Sequence, residues 1–285
     1  ARRGPRRNLD GNIEIFVAEL GGNGAISYTQ ITSSTGSILG GFNLSPSIDD
    51  AGDRVVFFSD GDLVDGENRD HSFEIFLAEI QSDGSVELNQ ITDTSWGVNI
   101  LPAISGDGSR IAFVSNQELV PGQNPEGNQE IFVAELEPTI SFIQVTSTAN
   151  GISDQPDISR DGRYVAFVSD DGSGAQIFLA DLASDSIVQV THFAGDFNQW
   201  PSISADGSRI AFVSSGDDPY GLTQIYVSEV ITSSMAVSET VQITGDDVPK
   251  DQPTISADGN RVGYTEIPSA VTRQLGATSI VDLDA

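Results

Sequence analysis

Three segments carry an oxygen-bearing side chain at every second position: Asn8, Asp10, Asn12 and Glu14; Asn68, Asp70, Ser72 and Glu74; Asn124, Glu126, Asn128 and Glu130. Alternate residues of an extended segment point to one side. A hard cation such as calcium takes about six to eight oxygens, and each segment offers several. The spacing is not that of an EF-hand loop. The competing reading is that Asn, Asp and Gly make turns and that each glutamate opens a strand at a solvated edge.

A second set precedes five recurring prolines. Asn43, Asn99, Asp154, Asn198 and Asp251 stand two or three residues before them, joined by Gln155, Gln199, Trp200 and Gln252. Converging carboxamides and carboxylates can hold a peptide, a cation or water. Equally, each can cap backbone at a junction between repeats. Catalysis has little to stand on. The two histidines, His71 and His192, fall in different repeats, and no Gly-x-Ser-x-Gly elbow or His-x-x-x-His pair occurs. Paired carboxylates abound in so acidic a chain, so counting them neither makes nor excludes a glycosidase pair.

The elements that position these groups repeat. Pro201-Ser-Ile-Ser-Ala-Asp-Gly-Ser-Arg-Ile-Ala-Phe-Val-Ser214 reads as a hairpin. It has a short alternating strand, an Asp-Gly turn and a continuous apolar strand. Copies begin at Pro46, Pro102, Pro156, Pro201 and Pro253, a period of roughly 50 residues. A third strand follows in Glu74–Ile80, Glu130–Leu136, Gln176–Leu182 and Gln224–Val230, and a fourth ends in Gln90-Ile-Thr, Gln144-Val-Thr, Gln189-Val-Thr and Gln242-Ile-Thr. Four strands per repeat make a propeller blade, and blades bury their faces only by stacking on neighbours. Phe57, Phe113, Phe167 and Phe212, with Tyr264 in the same place, are the expected core between blades. Asp107, Asp161, Asp206 and Asp258 belong to the turns, with Arg110, Arg163, Arg209 and Arg261 as their expected partners.

The run Pro-x-Ile-Ser-x-Asp-Gly-x-Arg-x-Ala-Phe-Val-Ser, then Ile-Phe-Val-Ala-Glu-Leu, then Gln-x-Thr, resembles the WD40-like PD40 repeat of the TolB-like propellers over nearly the whole chain. The resemblance implies an all-β propeller of four-stranded blades and puts the residues before each proline near one mouth of a central channel. It also implies three functional settings: periplasmic partner-binding propellers, secreted bacterial surface propellers, and the non-catalytic propeller of prolyl-oligopeptidase-like peptidases.

The formal net charge of −29, from 42 acidic and 13 basic residues, disfavours nucleic acid and anionic lipid as partners. No cysteine is present, which removes disulfides, thiolate metal sites and cysteine nucleophiles. No apolar run is long enough to span a membrane. Residues 1–7 (Ala-Arg-Arg-Gly-Pro-Arg-Arg) form a basic arm, and residues 8–285 read as one propeller domain. That domain starts mid-repeat, with a half-blade over residues 8–32, and the last repeat ends in a weak third strand near Ser279–Leu283. Strands from both ends are therefore expected to complete one blade and close the ring. Five blades are the first reading and six the second; half-blades pairing between molecules would instead build a filament. The sequence-level reading of function is a non-enzymatic protein-binding or self-assembly module, extracytoplasmic in a bacterium, with calcium as its one candidate cofactor. The alternative is a glycan hydrolase or lyase propeller, or the propeller of a peptidase.

Overall fold

A computed structural model describes residues 12–22, 24–34, 41–193, 197–216, 221–267 and 278–283. The basic arm and the candidate ligands Asn8 and Asp10 lie outside these residues. The described residues are all β, in six antiparallel sheets. Sheet 1 holds β1 (Phe16–Leu20) and β2 (Ile26–Gln30). Sheet 2 holds β3 (Asn43–Ile48), β4 (Arg54–Ser59), β5 (Glu74–Ile80) and β6 (Val86–Gln90). Sheet 3 holds β7 (Asn99–Ile104), β8 (Arg110–Ser115), β9 (Glu130–Glu135) and β10 (Ser141–Gln144). Sheet 4 holds β11 (Ile152–Ile158), β12 (Tyr164–Asp170), β13 (Gln176–Asp181) and β14 (Ser186–Gln189). Sheet 5 holds β15 (Asn198–Ile203), β16 (Arg209–Ser214), β17 (Gln224–Ile231) and β18 (Ala236–Gln242). Sheet 6 holds β19 (Lys250–Ile255), β20 (Arg261–Glu266) and β21 (Thr278–Asp282). The strands of each sheet lie side by side in chain order.

The second strands carry near-continuous apolar runs because both their faces are covered. One face of each sheet presents branched aliphatic side chains and the next sheet answers with aromatics. Val56, Ile75 and Leu77 of sheet 2 meet Phe113 and Phe132 of sheet 3. Val114, Ile131 and Val133 of sheet 3 meet Phe167 of sheet 4. Ala166, Ile177 and Leu179 of sheet 4 meet Ile210 and Phe212 of sheet 5. Val213 and Ile225 of sheet 5 meet Val262 and Tyr264 of sheet 6. Ile15 and Ile31, which flank the two strands of sheet 1, meet Phe57 and Phe76 of sheet 2. The expected aromatic core is present: Phe57, Phe113 and Phe212 are fully buried, and Phe167 and Tyr264 are buried.

The turn arginines depart from expectation. Arg54, Arg110 and Arg209 pair with Glu79, Glu135 and Glu229, and Arg163 pairs with Asp181, all on third strands. Arg54, Arg110 and Arg209 also donate to the carbonyls of Gly108, Gly162 and Gly259 in the next sheet's turn. Asp107 and Asp206 instead accept from hydroxyls and backbone N–H groups of their own turns. An extended arginine outreaches a four-residue turn, so its guanidinium lands on the neighbouring strand.

At the chain ends, β21 lies on β20 and β1 pairs with β2; no hydrogen-bonded strand pair joins sheets 1 and 6 among the described residues.

Candidate functional site

Every first strand breaks register once, between Leu44 and Ser47, Ile100 and Ala103, Asp154 and Asp157, Gln199 and Ser202, and Asp251 and Thr254. Each break contains the repeat's proline. Proline has no N–H for the ladder, so the strand bulges there. The residue before it turns left-handed: φ is 50° at Ser45, 53° at Leu101, 52° at Gln155, 54° at Trp200 and 48° at Gln252. Such backbone costs about 1–3 kcal/mol for a residue with a side chain and persists only where its surroundings over-determine it. The five bulges converge on one cavity of about 540 Å³, lined by the prolines, the residue before each and, except at Ala103, the residue after it.

Carboxylates hold two of the bulges. Asp154 Oδ1 accepts the Gln155 N–H and Asp251 Oδ1 accepts the Gln252 N–H, each at 2.8 Å. Burial pushes the Asp154 carboxyl up. The residue after each proline ties the sheet to the next one. Ser47 Oγ accepts the Ile104 N–H at 3.2 Å, Asp157 Oδ2 the Ile203 N–H at 2.9 Å, and Ser202 Oγ the Ile255 N–H at 3.2 Å. Ala103 has no oxygen to offer Ile158. Asp157 makes up the loss, because its Oδ1 accepts the Ile158 N–H at 3.0 Å.

A direct test follows from that substitution pattern. Asp157→Ser keeps one acceptor and strands the Ile158 N–H, at an expected cost of about 1–3 kcal/mol. Adding Ala103→Ser supplies the missing oxygen and is expected to recover most of the loss in a denaturant titration. Burial raises the Asp157 carboxyl above the ordinary range, against the two N–H donors. The folded state thus holds this proton more tightly than the unfolded one. The resulting stability is present at low pH and lost as pH rises through the raised folded value. Both variants should lack that component.

Of the sequence-predicted residues, Gln155, Trp200 and Gln252 line the cavity. Gln155 Oε1 accepts the Trp200 N–H at 2.6 Å. Among the described residues, no hydrogen bond engages the Trp200 indole, the Gln252 carboxamide or Gln155 Nε2, so these groups are available to a ligand. Asp154, Gln199 and Asp251 sit one residue earlier and are not part of the lining. Asn43, Asn99 and Asn198 are wholly buried clamps at junctions between sheets. Asn43 Nδ2 donates to Ile13 O at 2.7 Å, Asn99 Nδ2 to Phe73 O at 3.1 Å, and Asn198 Nδ2 to Ala175 O at 2.8 Å. Ser153 and Lys250 take the same register position in sheets 4 and 6. Lys250, the chain's one lysine, is buried between Asp246 at 2.6 Å and Glu266 at 3.2 Å.

The oxygen-rich loops serve their own sheets. Glu14 accepts from the Ser34 N–H and hydroxyl. Glu74 accepts from Ser72, Thr92, Thr94 and Asn99. Burial raises its carboxyl despite these donors. Glu130 accepts from Thr146 and Thr148. Asn12, Asn68, Asn124 and Asn128 donate to loop carbonyls, and Asp70 accepts from Ser72. Glu126 is exposed. Among the described residues, no group of three or more His, Asp or Glu side chains is set to hold a metal ion. His71 Nδ1 lies 2.9 Å from Asp60 O, and His192 sits on an outer groove between sheets 4 and 5.

The family model described as the TolB beta propeller domain, PD40, matches residues 67–280. The chain belongs to this TolB propeller family. No curated protein matches it. Among solved structures, TolB from Acinetobacter baumannii is 23% identical with a TM-score of 0.57, over 90% of this chain and 55% of that one. The putative TolB from Agrobacterium tumefaciens is 20% identical with a TM-score of 0.60, over 85% of this chain and 78% of that one. A puromycin hydrolase is 17% identical with a TM-score of 0.62, over 95% of this chain and 40% of that one. The TolB propeller described here thus spans little more than half of the Acinetobacter protein, and at these identities the likeness is one of fold. No helix of the described residues is long and apolar enough to cross a membrane.

Proposed function

We propose that this TolB-family propeller is a non-enzymatic module that binds a protein partner at its axial cavity, outside the cytoplasm of a bacterium. The observation that carries the reading is the convergence of five strained bulges on a cavity where the Trp200 indole N–H, the Gln252 carboxamide and Gln155 Nε2 make no hydrogen bond among the described residues. Strained backbone clusters at ligand sites, and here it recurs at the same place in all five first strands. An indole face with amide donors suits peptide carbonyls and apolar side chains. The net charge of −29 favours neutral or basic partners over anionic ones.

In this reading five first strands wall the axis and sheet 1 takes a sixth, partial place around it. Successive first strands pack on one another from β3 to β19, and no comparable contact joins β19 to β3. A second reading, the propeller portion of a larger enzyme, draws on the 95% of this chain that overlays on 40% of the puromycin hydrolase.

The test is capture from a bacterial envelope extract on the immobilised chain, beside a Trp200→Ala/Gln252→Ala variant shown to be folded by circular dichroism. The expected result is a protein retained by the wild type and lost by the variant. Equal retention by both, or no retained protein, would overturn the proposal.

A further inference from the structure

Asp157 is the one charged side chain in the lining of the axial cavity; the rest is proline, serine, threonine, leucine, tryptophan and glutamine. Among the described residues, no ion pair includes it. The fold does not require that charge. The equivalent residues after the other prolines are Ser47, Ala103, Ser202 and Thr254. Ser47 and Ser202 tie their sheets to the next with a neutral hydroxyl. A serine at 103 and a serine at 157 would serve the Ile158 and Ile203 N–H groups in the same way, without the cost of burying a carboxylate. Two neighbouring repeats depart from the pattern together, and what the departure adds is a negative charge at the cavity.

Asp157 also has capacity left. A carboxylate offers about four lone-pair sites. Three donors engage them: the N–H groups of Ile158 and Ile203 and the Ser202 hydroxyl. The remaining site is left for a donor from the cavity, where the side chain is half-buried. Trp200 lines the adjoining bulge, joined to this one through Gln155 Oε1. A hard metal ion asks for about six to eight oxygens, and among the described residues no group of three His, Asp or Glu side chains is set to supply them. An organic cation asks for less: one counter-charge, and walls of indole and proline.

We propose that the axial cavity takes an organic cation, the guanidinium or ammonium of a partner's basic side chain, with Asp157 as its counter-charge and Trp200 as its wall. This rests on the axial cavity being the binding surface, and adds which chemical group that surface reads. Cation and proton compete for the carboxylate, which burial already biases toward the proton. Binding therefore releases a proton, and affinity falls up to about tenfold for each pH unit below the raised folded value. β7 and β15, on either side of Asp157, carry no charged residue. On the other strands packed against β11, the titratable groups have partners of their own. Arg110 pairs with Glu135, Glu130 accepts from Thr146, Asp170 accepts the Gly172 N–H, and Tyr164 is buried in the core between sheets 4 and 5. Asp154, on β11 itself, is also raised by burial and is kept in the variant used below.

The chain has two tryptophans, and Trp96→Phe leaves Trp200 as the single indole. Trp96 is 89% exposed and takes no part in the cavity lining. The probe is n-butylguanidinium, with n-butylurea as its neutral counterpart of the same shape. Trp200 fluorescence in the full chain is expected to respond saturably to the cation, in about the millimolar range, and not to the urea. Adding Ala103→Ser and Asp157→Ser should weaken that binding by about tenfold or more and abolish its pH dependence. If the serine pair failed to fold, a titration of the Trp96→Phe protein from about pH 8 to about pH 4 would decide by itself. Equal responses to cation and urea, an affinity independent of pH, or a stronger response to calcium would each overturn the proposal. So would undiminished retention of the captured envelope protein by the Ala103→Ser/Asp157→Ser chain. That last result would leave the axial reading intact, because its own test is made at Trp200 and Gln252.

Discussion

Phe113→Ala is expected to lower the free energy of unfolding by about 3–5 kcal/mol, the range for deleting a large side chain from a core. The site meets the conditions for the upper part of that range. Phe113 is fully buried, stacks on Phe132 and meets Phe142 edge to face at 6.1 Å. Its neighbours across the junction, Val56, Ile75 and Leu77, belong to rigid strands and cannot collapse into the space. The loss also spreads, because a sheet in a stacked series is stable only through its neighbours. Phe142→Ala is the control. That ring is only partly buried on the outermost strand, and its loss should cost clearly less. A urea titration followed by circular dichroism reads both. A Phe113→Ala cost below about 1 kcal/mol would mean that the aromatic seams between sheets do not carry the fold.

Glu74→Gln is expected to cost about 1–3 kcal/mol although it preserves shape, since it leaves a buried donor facing donors. The reason lies in how each sheet secures the loop after its fourth strand. In sheets 1, 2 and 3 the clamping residue is glutamate, and the loop turns an N–H toward it, from Ser34, Thr94 and Thr148. In sheets 4 and 5 it is glutamine, and the loop turns a carbonyl toward it. Gln176 Nε2 donates to Phe193 O at 3.1 Å and Gln224 Nε2 to Asp246 O at 2.8 Å. An amide in place of the Glu74 carboxylate would bring an NH2 against the Thr94 N–H and hydroxyl. The reciprocal Gln224→Glu would bring a carboxylate against the Asp246 carbonyl and should cost a similar amount. If both swaps proved neutral in the same titration, the clamps would be interchangeable and the loop polarity incidental.

The repeats were legible because each is a local pattern: a proline, a turn and an apolar run recur with the same spacing. The aromatic seams followed from that alternation alone. The residues before the prolines were harder to sort, for a definable reason. Counting back from proline treats Asn99 and Asp154 as alike. The left-handed residue at the bulge gives neighbouring positions different destinations, so the third residue back is a buried clamp and the residue next to proline lines the cavity. Nothing in spacing alone announces that reversal. Asp157, Ser47 and Ser202 were missed, although a polar residue after proline in four repeats and alanine in the fifth was there to be read. The acidic loops read as ligand sets because a glutamate that accepts hydrogen bonds from threonine has the same oxygens that would coordinate calcium. Only the positions of Thr92 and Thr146 show which donors those oxygens meet.

The axial bulges are the proposed recognising surface, and hydrogen exchange on the complex with the captured partner tests that most directly. The expected result is slowed exchange concentrated at the first strands around Pro46, Pro102, Pro156, Pro201 and Pro253. Slowed exchange on the outer strands β6, β10, β14 and β18, with the first strands unchanged, would contradict it.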